Sequence, residues 1–168
     1  MEGINFEGNK LTITLDELSF GEIPKKLWKE IRVEELTIQM AKPEKEWKAY
    51  PPLSYVQTIE FKEPFFYLPE DLGSLMNLRS INAVQIGLRT LPNSIMHLDR
   101  LESLIIPLNK LELTYEMDKL ENLKSLKHLM VYGNHYDKEQ MTLFAEGHPD
   151  LQLGYSHEDE DIDLESLN

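Results

Sequence analysis

The amino-acid sequence predicts an α/β solenoid, in which short parallel strands alternate with short helical or irregular returns. Three observations carry the prediction. Between Leu78 and Leu98 apolar residues recur as Leu78, Ile81, Ala83, Leu88, Leu91, Ile95 and Leu98, and the cycle restarts at Leu101 with Leu104, Ile106 and Leu111. That beat of 23 residues is far longer than a helix period of 3.6 or a strand period of 2, so the repeating unit is a strand plus its return. Second, the beat extends along the chain: equivalent strand positions fall at 8, 33, 56, 78, 101 and 126, with a further one at 148. Third, Leu68-Pro69 and Leu91-Pro92 each open a return, where proline suits the first helical position.

Taken in order, Ile4 to Leu15 reads as two alternating runs around Glu7-Gly8-Asn9, a hairpin signal. Leu11 and Ile13 take the first repeat-strand place, and the Ile4/Phe6 strand is the candidate N-terminal cap, because a bare solenoid end exposes core. Asp16 to Arg32 contains Pro24 followed by Leu27 and Ile31, a short convex helix. Val33-x-x-Leu36-x-Ile38 is the second strand. Ala41 to Ser54 holds three prolines and no repeat motif, and reads as an irregular return with Trp47 and Tyr50 over the convex side. Val56-x-x-Ile59-x-Phe61 is the expected third strand. Past Asn134, an Asp137 cap and the amphipathic Met141, Leu143 and Phe144 mark a helix, and Leu151-x-Leu153 a closing strand. The domain expected is one unit over residues 1–156, capped near 4–15 and 137–154, with an acidic and disordered tail at 157–168.

The pattern L-x-x-L-x-L-x-x-N-x-L followed by L-P-x-x-I-x-x-L, seen at Leu78 to Leu98, resembles the leucine-rich repeat family, in its short variety of 22–25 residues. The run MTLFAEGHPDLQLGY resembles the C-terminal cap of bacterial members. The resemblance implies a right-handed superhelix with its parallel sheet on the concave face, and a protein partner bound there. In the family an asparagine after the strand satisfies backbone groups between turns. Here that place holds Asn109 and Asn134, but Asp16, Ala41, Pro64, Ile86 and Ser156 elsewhere.

Composition excludes several functions. The net charge of −13 argues against nucleic acid and anionic membrane, which need clustered Lys and Arg. Six of the acids lie between Glu158 and Glu165 without a base among them. The chain has no cysteine, hence no disulfide or thiolate metal site, and it shows no apolar run of membrane-spanning length or leader at its start. These features point to a cytoplasmic monomer. No nucleophile elbow, phosphate loop or paired metal-ligand histidines occur among His97, His128, His135, His148 and His157, so neither enzyme activity nor a cofactor or metal is expected.

Strand alternation assigns the faces. The outward positions are small and polar in the first half, as at Lys10, Thr12, Thr14, Glu35, Thr37 and Gln39, and apolar in the second. Val84, Ile105, Pro107, His128, Met130 and Tyr132 are the expected partner-binding residues, because aromatic and Met side chains are enriched where proteins meet. Cover by a loop or by the acidic tail is the other reading of the same patch. Two functions fit: a general protein-interaction module, or an acidic inhibitor or immunity protein that occludes a basic enzyme such as a nuclease.

Overall fold

The computed structural model describes residues 3–15, 27, 29–30, 32–40 and 67–155. Among the described residues, seven strands form one sheet in chain order: β1 Ile4–Glu7, β2 Lys10–Leu15, β3 Glu35–Met40, β4 Ser80–Asn82, β5 Ser103–Ile105, β6 His128–Met130 and β7 Gln152–Gly154. Strands β2 to β7 are parallel, each paired with the next. β1 folds back antiparallel on β2 with Ile4 opposite Ile13, so the sheet is mixed. Gly8 turns the hairpin at φ +63°, a conformation that costs glycine nothing. The hairpin falls where the N-terminal cap was expected, with half-buried Phe6 lying under the Arg32 guanidinium at 5.1 Å.

The returns are short. Leu68-Pro69 and Leu91-Pro92 lead into 3-10 helices at Glu70–Ser74 and Asn93–His97. The next return has no proline and forms a true helix, α1, at Leu113–Glu121. Nine helical residues in place of five account for the longer spacing between Leu101 and Leu126. A second helix, α2, covers Lys138–Gly147, and Asp137 caps it by accepting from Gln140 N at 2.9 Å. The core lies between the sheet and these returns. Leu78, Ile81, Leu88, Leu101, Leu104 and Leu129 are all fully buried there, together with Leu113, Leu120 and Met141 from the helices.

Glu35 stands directly opposite Ser80, and Arg79 N and Ser80 N both donate to Glu34 O, so no strand separates β3 from β4. The expected third strand at Val56 to Phe61 lies outside the described residues, and among the described residues the parallel strands number six. Residues 41–66, including Trp47 and Tyr50, lie outside the described residues, as do most of the foreseen helix at 16–32 and the segment 156–168.

The asparagine places explain where regularity stops. Asn109 Oδ1 accepts from Ile86 N and Leu88 N at 3.0 and 3.1 Å, while its Nδ2 donates to Ala83 O at 2.8 Å and lies within reach of Ile106 O and Pro107 O. Asn134 repeats the arrangement one turn later, bonding Leu111 N, Ile106 O and Val131 O. Each amide stitches its own turn to the preceding one. Ile86 occupies the same place one turn earlier with an apolar, fully buried side chain that has nothing to donate. The ladder ends there, at the junction where β4 meets β3.

Carboxylates join the returns in a similar way. Glu70 accepts from Asn93 N and Ser94 N, which closes the start of the next 3-10 helix. Those two backbone bonds, Asn93 first, hold its carboxyl below the usual range. Glu116 is buried on α1 and accepts from Thr90 Oγ1, Leu91 N and Lys119 Nζ, while Lys119 also donates to Leu91 O at 2.6 Å.

Candidate functional site

Three rows of side chains run across the solvent side of the sheet. Along the strand starts stand Lys10, Glu35, Ser80, Ser103, His128 and Gln152. The middle row is Thr12, Thr37, Asn82, Ile105, Met130 and Gly154. Past the strand ends the backbone ladder continues, with Gln85 N on Pro107 O and Leu108 N on Tyr132 O, so Val84, Pro107 and Tyr132 form the third row.

The first half of this face is polar and self-satisfied. Lys10 Nζ meets Glu35 Oε2 at 2.9 Å, and Gln39 donates to Thr14 Oγ1. The second half is apolar, and the structure brings all six expected residues together there. Val84, Ile105, Met130 and Tyr132 are absent from the hydrophobic cluster between sheet and returns, which includes their strand neighbours Leu104, Ile106, Leu129 and Val131. His128 borders them, its Nδ1 2.8 Å from Gln152 Oε1.

Exposure differs from the simple expectation of an open patch. Val84, Tyr132 and His128 are half-buried, but Pro107 is buried, Ile105 is 8% exposed and Met130 only 1%. Although they lie outside the core cluster, these last three side chains have little contact with solvent.

Leu108 belongs to the same surface and is not evident from the strand pattern. It is 40% exposed and holds φ +55°, in line with Gln85 at +51° and Gly133 at +68° one turn to either side. These are the residues just before the asparagine place, where the chain must turn left-handed. Leucine is disfavoured there by about 1–2 kcal/mol, whereas Gly133 accepts it freely. A Cβ on Gly133 would come within 2.6 Å of Leu108 Cδ2, so the glycine also makes room for the leucine. The signal available in the sequence was an apolar residue directly before Asn109.

Charges gather along the edge where the strands begin. Glu34, Arg79, Glu102 and Lys127 alternate in sign over four turns, with Arg79 2.7 Å from Glu102 and Lys127 2.8 Å from its other oxygen. The Lys127 contact, more than Arg79, lowers the Glu102 carboxyl. Exposed pairs of this kind contribute little singly, but they leave the rim without a one-signed field.

The remaining features offer less. A cleft of about 140 Å³ beside α1 and α2 is lined by Leu120, Leu123, Leu126, Phe144, His148 and Leu151, against the roughly 300 Å³ and upward of small-molecule sites. His148 is stacked on Phe144 and bonded to its carbonyl, and His135 pairs with Glu112. Among the described residues no three His, Asp or Glu side chains are placed to hold a metal ion, and no helix is long and apolar enough to cross a membrane.

Comparison with solved structures finds a leucine-rich repeat protein of Leptospira interrogans at a TM-score of 0.55 and 17% identity, over 80% of this chain. The chain is similar in fold to a leucine-rich repeat protein. It spans 28% of that protein's length. No family model matches the sequence, and no curated protein does.

Proposed function

We propose that this chain is a non-enzymatic protein-interaction module whose contact surface is the C-terminal half of the concave sheet. The observation that carries the reading is the apolar group Val84, Ile105, Met130 and Tyr132, which lies on the sheet yet outside the core. Folding does not require methionine, tyrosine and isoleucine on that side, and such residues are favoured at protein interfaces. Exposed Leu108, held in a left-handed turn beside them, extends the same surface. The leucine-rich repeat fold supports the reading in general terms, as a scaffold that presents a curved sheet.

A partner of this surface is neutral and partly apolar. Lys10 and Glu35 neutralise each other, the middle and third rows beyond Gln39 are uncharged, and the rim alternates in sign. An inhibitor of a basic enzyme would need unpaired acids directed from this sheet, and no observation favours that reading. Cytoplasmic location and a monomeric state, both expected from the sequence, belong to the same proposal.

Alanine substitution tests it. Against a partner captured by the unsubstituted protein, Tyr132→Ala is expected to cost about 2 kcal/mol, roughly thirtyfold in Kd. Thr12→Ala and Thr37→Ala, in the polar half of the sheet, should bind as before. Equal binding by all three variants would remove the concave patch as the site.

A further inference from the structure

Four returns end on the same backbone device. The carbonyls of Leu75, Leu98, Leu123 and His148 accept from Leu78 N, Leu101 N, Leu126 N and Leu151 N, and their own N–H groups donate to Leu72 O, Ile95 O, Leu120 O and Ala145 O. These bonds align the four turns place by place. The first three turns fill the two places with Leu72 and Leu75, Ile95 and Leu98, and Leu120 and Leu123, all buried. The last turn has Ala145 and His148 instead, both half-buried. A small side chain and a polar ring therefore stand where the repeat otherwise carries two large aliphatic ones.

The cleft of about 140 Å³ lies at that substitution, between Leu120, Leu123 and Leu126 of one turn and Phe144, His148 and Leu151 of the next. Folded proteins leave few voids larger than a water molecule. The two 3-10 returns obey that rule, for a Cβ on Gly73 would come within 2.6 Å of Ser94 Cβ. His148 is held in a defined state. Its ring stacks on Phe144 with centroids 4.3 Å apart, and its Nδ1 is 2.8 Å from Phe144 O. A carbonyl only accepts, so Nδ1 carries the proton, and Nε2 of the neutral imidazole is left as an acceptor.

We propose that this cleft receives the tyrosine side chain of a protein partner, with the phenol ring among the leucines and its O–H donating to His148 Nε2. The volume fits one ring, since an apolar cavity of about 150 Å³ takes up benzene. A phenylalanine would leave Nε2 without a donor, and the indole of tryptophan is larger than a single ring. Exposed Glu121 and Lys124 also line the cleft, so it opens to solvent, and a side chain can enter while its backbone stays outside. This contact is separate from the concave patch and does not rest on it.

The test titrates the full-length chain, labelled at leucine methyls and histidine rings, in mildly alkaline buffer. The probe is p-cresol, the side chain of tyrosine. Saturable shifts are expected at Leu120, Leu123, Leu126, Leu151 and His148. The isosteric ether p-methylanisole, which cannot donate, should bind about tenfold more weakly, and N-acetyltyrosinamide should bind as well as p-cresol. Ala145→Leu restores the aliphatic place, so it should keep the fold and abolish the shifts. His148→Leu should reduce p-cresol to the level of the ether, which decides the matter even if Ala145→Leu does not fold. Shifts spread evenly over the methyls, equal binding of phenol and ether, or p-cresol binding that survives in a folded Ala145→Leu protein each overturn the proposal. Binding of p-cresol without N-acetyltyrosinamide overturns it too, because the cleft would then admit a free phenol only. None of these readouts involves Tyr132, so the proposed concave contact and this one stand or fall separately.

Discussion

Asn109 Oδ1 accepts a hydrogen bond at 3.0 Å from the backbone N–H of Ile86, the residue that holds Asn109's own place one turn earlier. The amide therefore serves a turn that cannot serve its predecessor. Replacing Asn109 with Ala strands buried Ile86 N, Leu88 N and Ala83 O, each of which costs about 1–3 kcal/mol when left unmade. Asn109→Ala is expected to lower stability by about 3 kcal/mol or more in denaturant unfolding, with Asn109→Asp little better because a carboxylate cannot donate to Ala83 O.

Leu104 is fully buried at the central position of β5, paired with Ile81 on one side and Leu129 on the other. Leu104→Ala should cost about 2–5 kcal/mol. Because neighbouring repeats share that interface, hydrogen-exchange protection should fall on both adjoining strands. An unchanged denaturation midpoint would show the inward register to be wrong.

Buried Glu116 and half-buried Lys119 pair at 2.7 Å and fix α1 to the Thr90-Leu91 stretch of the preceding turn. Removal of one partner leaves the other charge, and Leu91 N, without its counterpart. Glu116→Ala should destabilise by about 3 kcal/mol. Replacing both residues with Met should restore part of the loss, a coupling that a double-mutant cycle measures.

Acid should weaken the fold through the exposed carboxylates. Glu70 and Glu102 are both held below the ordinary value of 4.5, Glu70 by the Asn93 and Ser94 N–H groups and Glu102 by Lys127. A depressed carboxyl pKa contributes stability that is complete above 4.5 and is lost as pH falls through the folded-state value. Thermal unfolding followed from pH 6 downward should therefore show a Tm that declines below about pH 4.5. Glu70→Gln should flatten part of that decline, since it no longer titrates.

Much of the architecture was legible because periodicity and turn chemistry are local. The 23-residue beat, the prolines at Pro69 and Pro92, the Asp137 cap and the closing Leu151-x-Leu153 strand each declare themselves within one repeat. The hairpin at Gly8 and the two working asparagines were equally readable. Face assignment also followed from alternation alone, so the apolar group at Val84, Ile105, Met130 and Tyr132 was identifiable before its exposure was known.

The sequence by itself determined the repeat, its core residues and the side of the sheet on which the apolar patch falls, since these depend on spacing along one strand and return. Tertiary structure alone decided which strands are neighbours and what remains exposed. β3 bonds directly to β4 across a long intervening stretch of chain, because strand pairing is settled by backbone bonds between distant segments that no local pattern encodes. Met130 matches an outward position, yet it is 1% exposed, because accessibility depends on the packing around a side chain as well as on its direction.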